Sequence, residues 1–136
     1  MTINEIQEEI IEEFAFFDDW MEKYEYIIDL GKSLPLIDPQ FKDETHLIKG
    51  CQSQVWLHAE NQATRVDFTA DSDAIITKGI IALLVRVLSG QPADEIAKAD
   101  LYFIDKIGLK EHLSPTRSNG LVSMVKQMKM YGVAMA

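Results

Sequence analysis

The sequence of 136 residues contains a single cysteine, Cys51. One thiol cannot form an internal disulfide, a CxxC redox pair or a metal site built only from protein thiolates. The three histidines, His46, His58 and His112, do not have the spacing of metal ligands. We therefore predict no bound metal, and any covalent chemistry of Cys51 must involve a second molecule.

Basic residues are also scarce, because 13 Lys and Arg stand against 22 Asp and Glu, which gives a net charge of −9. Most of such a surface repels a phosphate backbone, so we expect no nucleic-acid partner. No apolar run approaches the roughly 20 residues that span a bilayer, and we expect no membrane association. The acidic N-terminus resembles neither a secretory signal nor a transit peptide, so we expect a cytoplasmic protein.

Alternation of polar and apolar residues predicts a small antiparallel sheet in the middle of the chain. Three β-like runs, THLIKG, QVWLHAE and TRVDFTA, follow one another, and turn-forming residues separate them. Helical periodicity lies on both sides of these runs. We therefore predict a single α+β domain over residues 1–136, with about three strands packed against helices.

Two acidic amphipathic helices are predicted at the start of the chain. Thr2 and Glu5 have the spacing of a capping box, and apolar residues recur at helical spacing as far as Phe17. Asp19 is the predicted N-cap of the second helix, and Gly31 is its predicted C-cap.

The later part of the chain is also predicted to be helical. The run DSDAIITKGIIALLVRVLSG is apolar on nearly all sides, which predicts a central core helix. Asp73 is its predicted N-cap, although DSD also has the composition of an acidic metal corner. Gly79 predicts a close backbone contact. After the polar turn SPTRSNG, a last helix is predicted from Leu121 to about Tyr131.

The segment GCQSQVW places Cys51 among polar neighbours. Gly50, Gln52, Ser53 and Gln54 are unusual company for a core residue, so we predict that Cys51 lies at a turn between two strands. Backbone N–H groups in such a turn would favour the reactive thiolate, and Gly50 would permit unusual backbone angles. The residues alone leave both a reactive thiol and an inert buried one open.

A reactive Cys51 has three possible uses. A cysteine-dependent hydrolase would pair it with His46 or His58, which are predicted in strands beside the loop. An iron–sulfur or metal-binding scaffold would use it as a ligand. A carrier would accept a group such as persulfide sulfur and pass it to an external acceptor.

Arg117 could pair with a carboxylate or steady an anion, or belong to a turn begun by Pro115.

Three motifs in order, GCQSQVW, DSDAIITKGIIALLVRVLSG and HLSPTRSNGL, resemble the SufE family and its CsdE-type members. The resemblance implies an α+β fold similar to the IscU scaffold. It implies that Cys51 accepts persulfide sulfur from a SufS- or CsdA-like cysteine desulfurase, stimulates that enzyme and passes sulfur on for iron–sulfur cluster assembly. With one cysteine in the chain, the implied role is sulfur transfer rather than cluster building.

The resemblance also indicates supporting residues and a partner. The residues that match the loop motif, and would shape the loop, are Gly50, Gln52, Ser53 and Gln54. Arg117 and Asp73 match the other two motifs and are expected near the cysteine or on the docking surface. No cofactor is implied for this chain, because pyridoxal phosphate belongs to the desulfurase. The chain is then a relay partner and activator, not an enzyme, and a downstream acceptor or cluster scaffold is its second partner.

Overall fold

The computed structural model describes residues 1–136 as six α-helices, three β-strands and two single 3-10 turns. In chain order the elements are α1 (Ile3–Ala15), α2 (Trp20–Lys32), a 3-10 turn (Pro39–Phe41), β1 (Val55–Gln62), β2 (Arg65–Ser72), α3 (Ile75–Leu88), β3 (Gln91–Pro92), α4 (Ala93–Lys98), α5 (Phe103–Lys106), a second 3-10 turn (Lys110–His112) and α6 (Pro115–Met135).

The three strands form one antiparallel sheet in the order β1-β2-β3. Along β1, Val55 and Leu57 are buried while Trp56 between them is partly exposed, and Val66 and Phe68 of β2 follow the same alternation. This period of two places the apolar face of the sheet against α3. The predicted α+β class and the small antiparallel sheet are confirmed.

The third strand is not the one that the sequence predicted. THLIKG forms turns, with a single bridge between Leu47 and Trp56. The reason is local, because the Asp43 side chain and a turn at Leu47 take up backbone N–H groups that a strand would present to β1. The third strand is instead the short β3, which pairs with Arg65 and Val66 at the other edge of β2.

Helix α3 lies at the centre of the molecule, between α2 and the sheet, and 11 of its 14 residues are buried. The close backbone contact predicted at Gly79 is confirmed, since a Cβ there would lie 2.2 Å from the Ile27 carbonyl oxygen of α2. Gly31 of α2 faces the same crossing. It therefore lies inside α2, which ends at Lys32, and the prediction that Gly31 is the C-cap was wrong.

The start of α1 and of α2 follow the sequence prediction. Thr2 and Glu5 form the capping box, and the Asp19 carboxylate accepts a hydrogen bond from the Glu22 N–H. Helix α1 ends at Ala15, two residues before the predicted Phe17, because its last carbonyls are already satisfied by a tightened final turn.

The starts of α3 and α6 differ from the prediction. Asp73 is not the N-cap of α3, because Ala74 occupies that position and the Asp73 carboxylate binds the Gln54 N–H instead. Helix α6 begins at Pro115 rather than Leu121, and its N-cap is Ser114. A serine N-cap followed by proline at the first helical position is a strong start signal, so SPTRSNG is the first part of the helix and not a turn.

One hydrophobic core joins these elements, with buried residues from all six helices and both long strands. Helix α1 is also tied to α3 by Arg86, whose guanidinium contacts the carboxylates of Glu9 and Glu13 at 2.5 Å each. None of the helices combines the length and apolarity that a membrane span requires. The segment that carries Cys51 is thus mounted on a well-packed body.

Candidate functional site

Cys51 lies in the loop that leads into β1. The preceding segment is not a strand, so the predicted position between two strands was wrong in that respect. Gly50 has φ +91°, and a Cβ at this position would lie 2.5 Å from the Ser123 hydroxyl oxygen of α6. The loop therefore requires glycine for its left-handed backbone and for its close approach to α6. The predicted unusual backbone angle of Gly50 is confirmed.

The Cys51 side chain opens onto a cavity of about 330 Å³ between this loop, α3 and the start of α6. Gln52 and Ser53 line the cavity from the loop, and Thr77 and Ile80 line it from α3. The wall is therefore partly apolar and partly hydroxyl-bearing. A cavity of this size holds a small group attached to the sulfur without exposing it fully to water.

Helix α6 forms the opposite wall of the cavity. Ser114, Arg117, Gly120 and Met124 line it at the spacing of one helix face. Sequence reasoning singled out only Arg117 in this stretch. The missed signal was the serine–proline start of α6, which, once read as a helix, places Gly120 and Met124 on the same face as Arg117.

The thiol of Cys51 is half-buried and donates a hydrogen bond to the Gly120 carbonyl oxygen, with 3.6 Å between Sγ and O. A Cβ on Gly120 would lie 3.4 Å from Sγ, so the sulfur rests directly on the α6 backbone. Burial raises the pKa of the Cys51 thiol above its ordinary value. The expectation that N–H donors favour a thiolate was wrong, because the loop N–H groups do not reach the sulfur and a carbonyl does.

The exit of the loop is fixed to the start of α3. The Gln54 N–H donates to the Asp73 carboxylate at 3.0 Å, and the Gln54 carbonyl accepts from the Asp73 N–H at 3.2 Å and from the Ser72 hydroxyl at 2.8 Å. Asp73 does not line the cavity. Its place in the structure is therefore at the foot of the Cys51 loop, where it holds the backbone and does not reach the sulfur.

Arg117 is exposed at the first turn of α6 and lines the Cys51 cavity. It forms no ion pair with a carboxylate of this chain. The N-terminal end of a 21-residue helix adds its own positive potential at the same wall. The mouth of the cavity thus presents unneutralised positive charge to an incoming group, in a protein of net charge −9.

The histidines lie elsewhere. His58 stacks on Phe41 with 3.8 Å between ring centroids, and His46 packs against the same phenyl ring. His112 stacks on Trp20. No histidine lines the Cys51 cavity, so the structure does not bring together the cysteine and imidazole that a cysteine hydrolase needs. The side chains also form no group of three or more His, Cys, Asp or Glu suited to hold a metal ion.

A model of the SufE family, described as an Fe-S metabolism associated domain, matches residues 8–132. The chain belongs to the SufE family. An uncharacterized SufE-like protein of Rhizobium etli is 44% identical over 127 residues, which cover 90% of this chain and 86% of that protein. A second SufE-like protein, from Rhizobium meliloti, is 42% identical over 127 residues, which cover 90% of this chain and 91% of that protein.

One further relative is much longer than this chain, and one solved structure shares its fold at low sequence identity. The SufE-like protein 1 of Arabidopsis thaliana, named as chloroplastic and mitochondrial, is 42% identical, and the match covers 33% of its length. The solution structure of a hypothetical protein from Thermus thermophilus has the same fold, with a TM-score of 0.79, 18% identity and 96% of this chain covered. Membership of the SufE family gives this protein a sulfur-transfer role in iron–sulfur metabolism.

Proposed function

We propose that Cys51 accepts persulfide sulfur from a SufS- or CsdA-like cysteine desulfurase and passes it on for iron–sulfur cluster assembly. The observation that carries this proposal is the only thiol of the chain, half-buried at a cavity that has room for an added group. The protein is then a relay partner that stimulates the desulfurase and is not an enzyme on its own. Pyridoxal phosphate stays with the desulfurase, and a cluster scaffold or other acceptor takes the sulfur.

The proposed step is a transpersulfidation. The Cys51 thiolate attacks the outer sulfur of the partner's cysteine persulfide, a new S–S bond forms on Cys51, and the partner's S–S bond breaks. The partner thiolate leaves and takes up the proton that Cys51 gave up. Sulfur oxidation states are exchanged between the two cysteines, so the step needs no external oxidant or reductant.

The cavity has a part in this step both before the sulfur is transferred and during the transfer. Before transfer, the Gly120 carbonyl and the partial burial hold Cys51 as a neutral thiol, which limits attack on unrelated disulfides and electrophiles. During transfer, negative charge builds up on sulfur, and the Arg117 guanidinium and the start of α6 supply positive potential at the mouth of the same cavity. Docking of the desulfurase supplies proximity, which contributes several kcal/mol when the two sulfurs are aligned.

The loop residues have separate parts in this proposal. Gly50 sets the left-handed turn that brings Cys51 against α6. Gln52 and Ser53 line the cavity beside the sulfur, and Gln54 is the anchored end, held by Asp73. The loop thus has one fixed end and one exposed middle, so that Cys51 can turn outward to a partner without disturbing β1.

The activating role is tested by measuring alanine formation from cysteine by a SufS-like desulfurase. We expect the wild-type protein to increase the rate and Cys51→Ser to give no increase. His58→Ala is the matched control, because this histidine lies outside the cavity, and it should stimulate as well as the wild type. If Cys51→Ser stimulates the desulfurase fully, the proposed sulfur relay through Cys51 is wrong.

A further inference from the structure

A second groove lies along α6, away from the Cys51 cavity. It has a volume of about 480 Å³ and runs between α6 and the segment from Asp100 to Asp105. Its buried floor includes Leu101, Ile104 and Leu121. Large apolar side chains are exposed along its α6 edge, with Val122 49%, Met130 54% and Val133 67% exposed. Adjoining exposed apolar side chains of this kind mark an interaction site more often than a free surface.

The charges at the rim of the groove are arranged on two sides. Lys126 and Lys129 stand on the α6 side, with Lys110 at one end, while Asp100 and Asp105 stand on the opposite side. None of these five side chains forms an ion pair within the chain. Helix α6 carries no acidic residue at all, in a chain of net charge −9. The groove therefore has a basic edge and an acidic edge, both available to a partner.

The groove and the Cys51 cavity lie on opposite faces of α6. At about 100° per residue, Val122, Lys129 and Val133 lie roughly 140° to 180° around the helix from Gly120, on which the sulfur rests. A molecule in the groove thus leaves the cavity mouth open. The two surfaces can be occupied at the same time.

We propose that this groove binds an amphipathic helix of a partner protein, with acidic residues along one edge of the apolar stripe and basic residues along the other. The acidic residues of the partner helix meet Lys126 and Lys129, and its basic residues meet Asp100 and Asp105. The stretch of α6 from Leu121 to Val133 is roughly 18 Å long, which matches a helix of about three turns laid into an apolar groove.

The charge pattern favours such a partner over the exposed apolar corner of a second copy of this chain. The copy's exposed apolar residues Phe16 and Met21 stand beside Asp18 and Asp19. The two lysines of α2 are already engaged, Lys23 over the Trp20 ring and Lys32 with Asp29. A contact between that corner and the groove would also join two different surfaces, which generates open chains of molecules rather than a closed dimer. The inference goes beyond the proposed sulfur relay and does not depend on it.

The test uses the full-length protein and a synthetic helical peptide of roughly four turns, with a leucine stripe, glutamates along one edge and lysines along the other. Binding is followed by fluorescence anisotropy and mapped by amide chemical shifts. We expect saturable binding, with shifts along α6 from Val122 to Val133 and in the segment from Leu101 to Asp105. The double variant Lys126→Glu/Lys129→Glu should weaken binding about threefold to tenfold, as expected for two surface charge pairs.

Two controls make the test specific. A peptide of the same composition in scrambled order should bind at least several-fold more weakly, and Ile75→Glu, an exposed apolar residue outside the groove, should bind the original peptide as the wild type does. The proposal is overturned if the peptide does not saturate, if its shifts map to the Cys51 cavity, or if the lysine variant binds equally well. Concentration-dependent self-association in sedimentation that Val133→Glu abolishes would assign the groove to a second copy instead.

Discussion

At the scale of single residues, the surroundings of Cys51 favour the neutral thiol over the nucleophilic thiolate. Its sulfur faces the Gly120 carbonyl, and burial disfavours the thiolate. The positive charge of Arg117 lies at the mouth of the cavity and not in hydrogen-bond contact with the sulfur. The proposed carrier role gains from this arrangement, because a neutral, half-buried thiol is a poorer nucleophile than a thiolate toward unrelated electrophiles.

We expect Cys51 to react slowly with alkylating agents, and the pH midpoint of that reaction to be raised. Because the thiolate is the reacting form and its pKa is raised in the folded protein, the rate of iodoacetamide alkylation should rise with a midpoint above the ordinary cysteine value of about 8.5. The rate is measured by intact mass over a pH series. The same protein in denaturant is the control and should show the ordinary midpoint. A folded midpoint at or below it contradicts the account.

Gly120 offers a second test at the same scale. Alanine at this position puts a methyl group in contact with Cys51 Sγ, at 3.4 Å, and takes space that an added sulfur would use. Inside a helix the same change favours folding by about 1 kcal/mol. We therefore expect Gly120→Ala to unfold at an equal or higher urea concentration but to accept sulfur from a desulfurase more slowly. A variant that is stable and loads at the wild-type rate would show that Gly120 has no part in the site.

At the scale of elements, the sequence predicted the core well and the edges poorly. The buried alternation of β1 and β2 and the apolar α3 are set by strong local periodicity, so they follow from the sequence. β3 has only two residues, Gln91 and Pro92, which is too short for any periodicity, and its pairing with β2 depends on tertiary packing. THLIKG has the composition of a strand but does not form one, because the Asp43 carboxylate accepts the His46 N–H and holds the segment in a turn.

The residues of the Cys51 site were also predicted only in part. Cys51 and Gly50 were identified because their chemistry is visible in the sequence itself. Gly120 and Met124 were missed because their place beside the sulfur depends on where α6 begins, and SPTRSNG was assigned to a turn. Asp73 was expected near the cysteine or on the docking surface, but its hydrogen bond to Gln54 could only be found from the path of the loop.

The crossing of α2 and α3 gives the prediction at this scale. Gly79→Ala would place a methyl group 2.2 Å from the Ile27 carbonyl, so the two helices must move apart. We expect a net loss of about 1–3 kcal/mol in the free energy of unfolding, because overpacking outweighs the gain in helix propensity. Gly120→Ala is the matched control, since it makes the same substitution in another helix where there is room. Urea unfolding that shows both variants equally stable would contradict the close packing of this crossing.

At the scale of the whole molecule, charge is distributed unevenly among the helices. Helix α1 carries five glutamates and no basic residue, whereas α6 carries Arg117, Lys126 and Lys129 and no acidic residue. Both the Cys51 cavity and the second groove lie on α6. The excess negative charge elsewhere repels acidic partner surfaces and steers them toward this helix. A protein with one thiol and two separate surfaces on one helix is suited to meet a sulfur donor and another protein in turn.

The central claim, that Cys51 carries sulfur, is tested most directly by intact mass spectrometry. The protein is incubated with a cysteine desulfurase and free cysteine, and its mass is measured before and after treatment with a reductant. We expect the wild type to gain whole sulfur atoms that the reductant removes, and Cys51→Ser to gain none. If the desulfurase is active and the wild-type mass does not change, or if Cys51→Ser gains the same mass, the account is wrong.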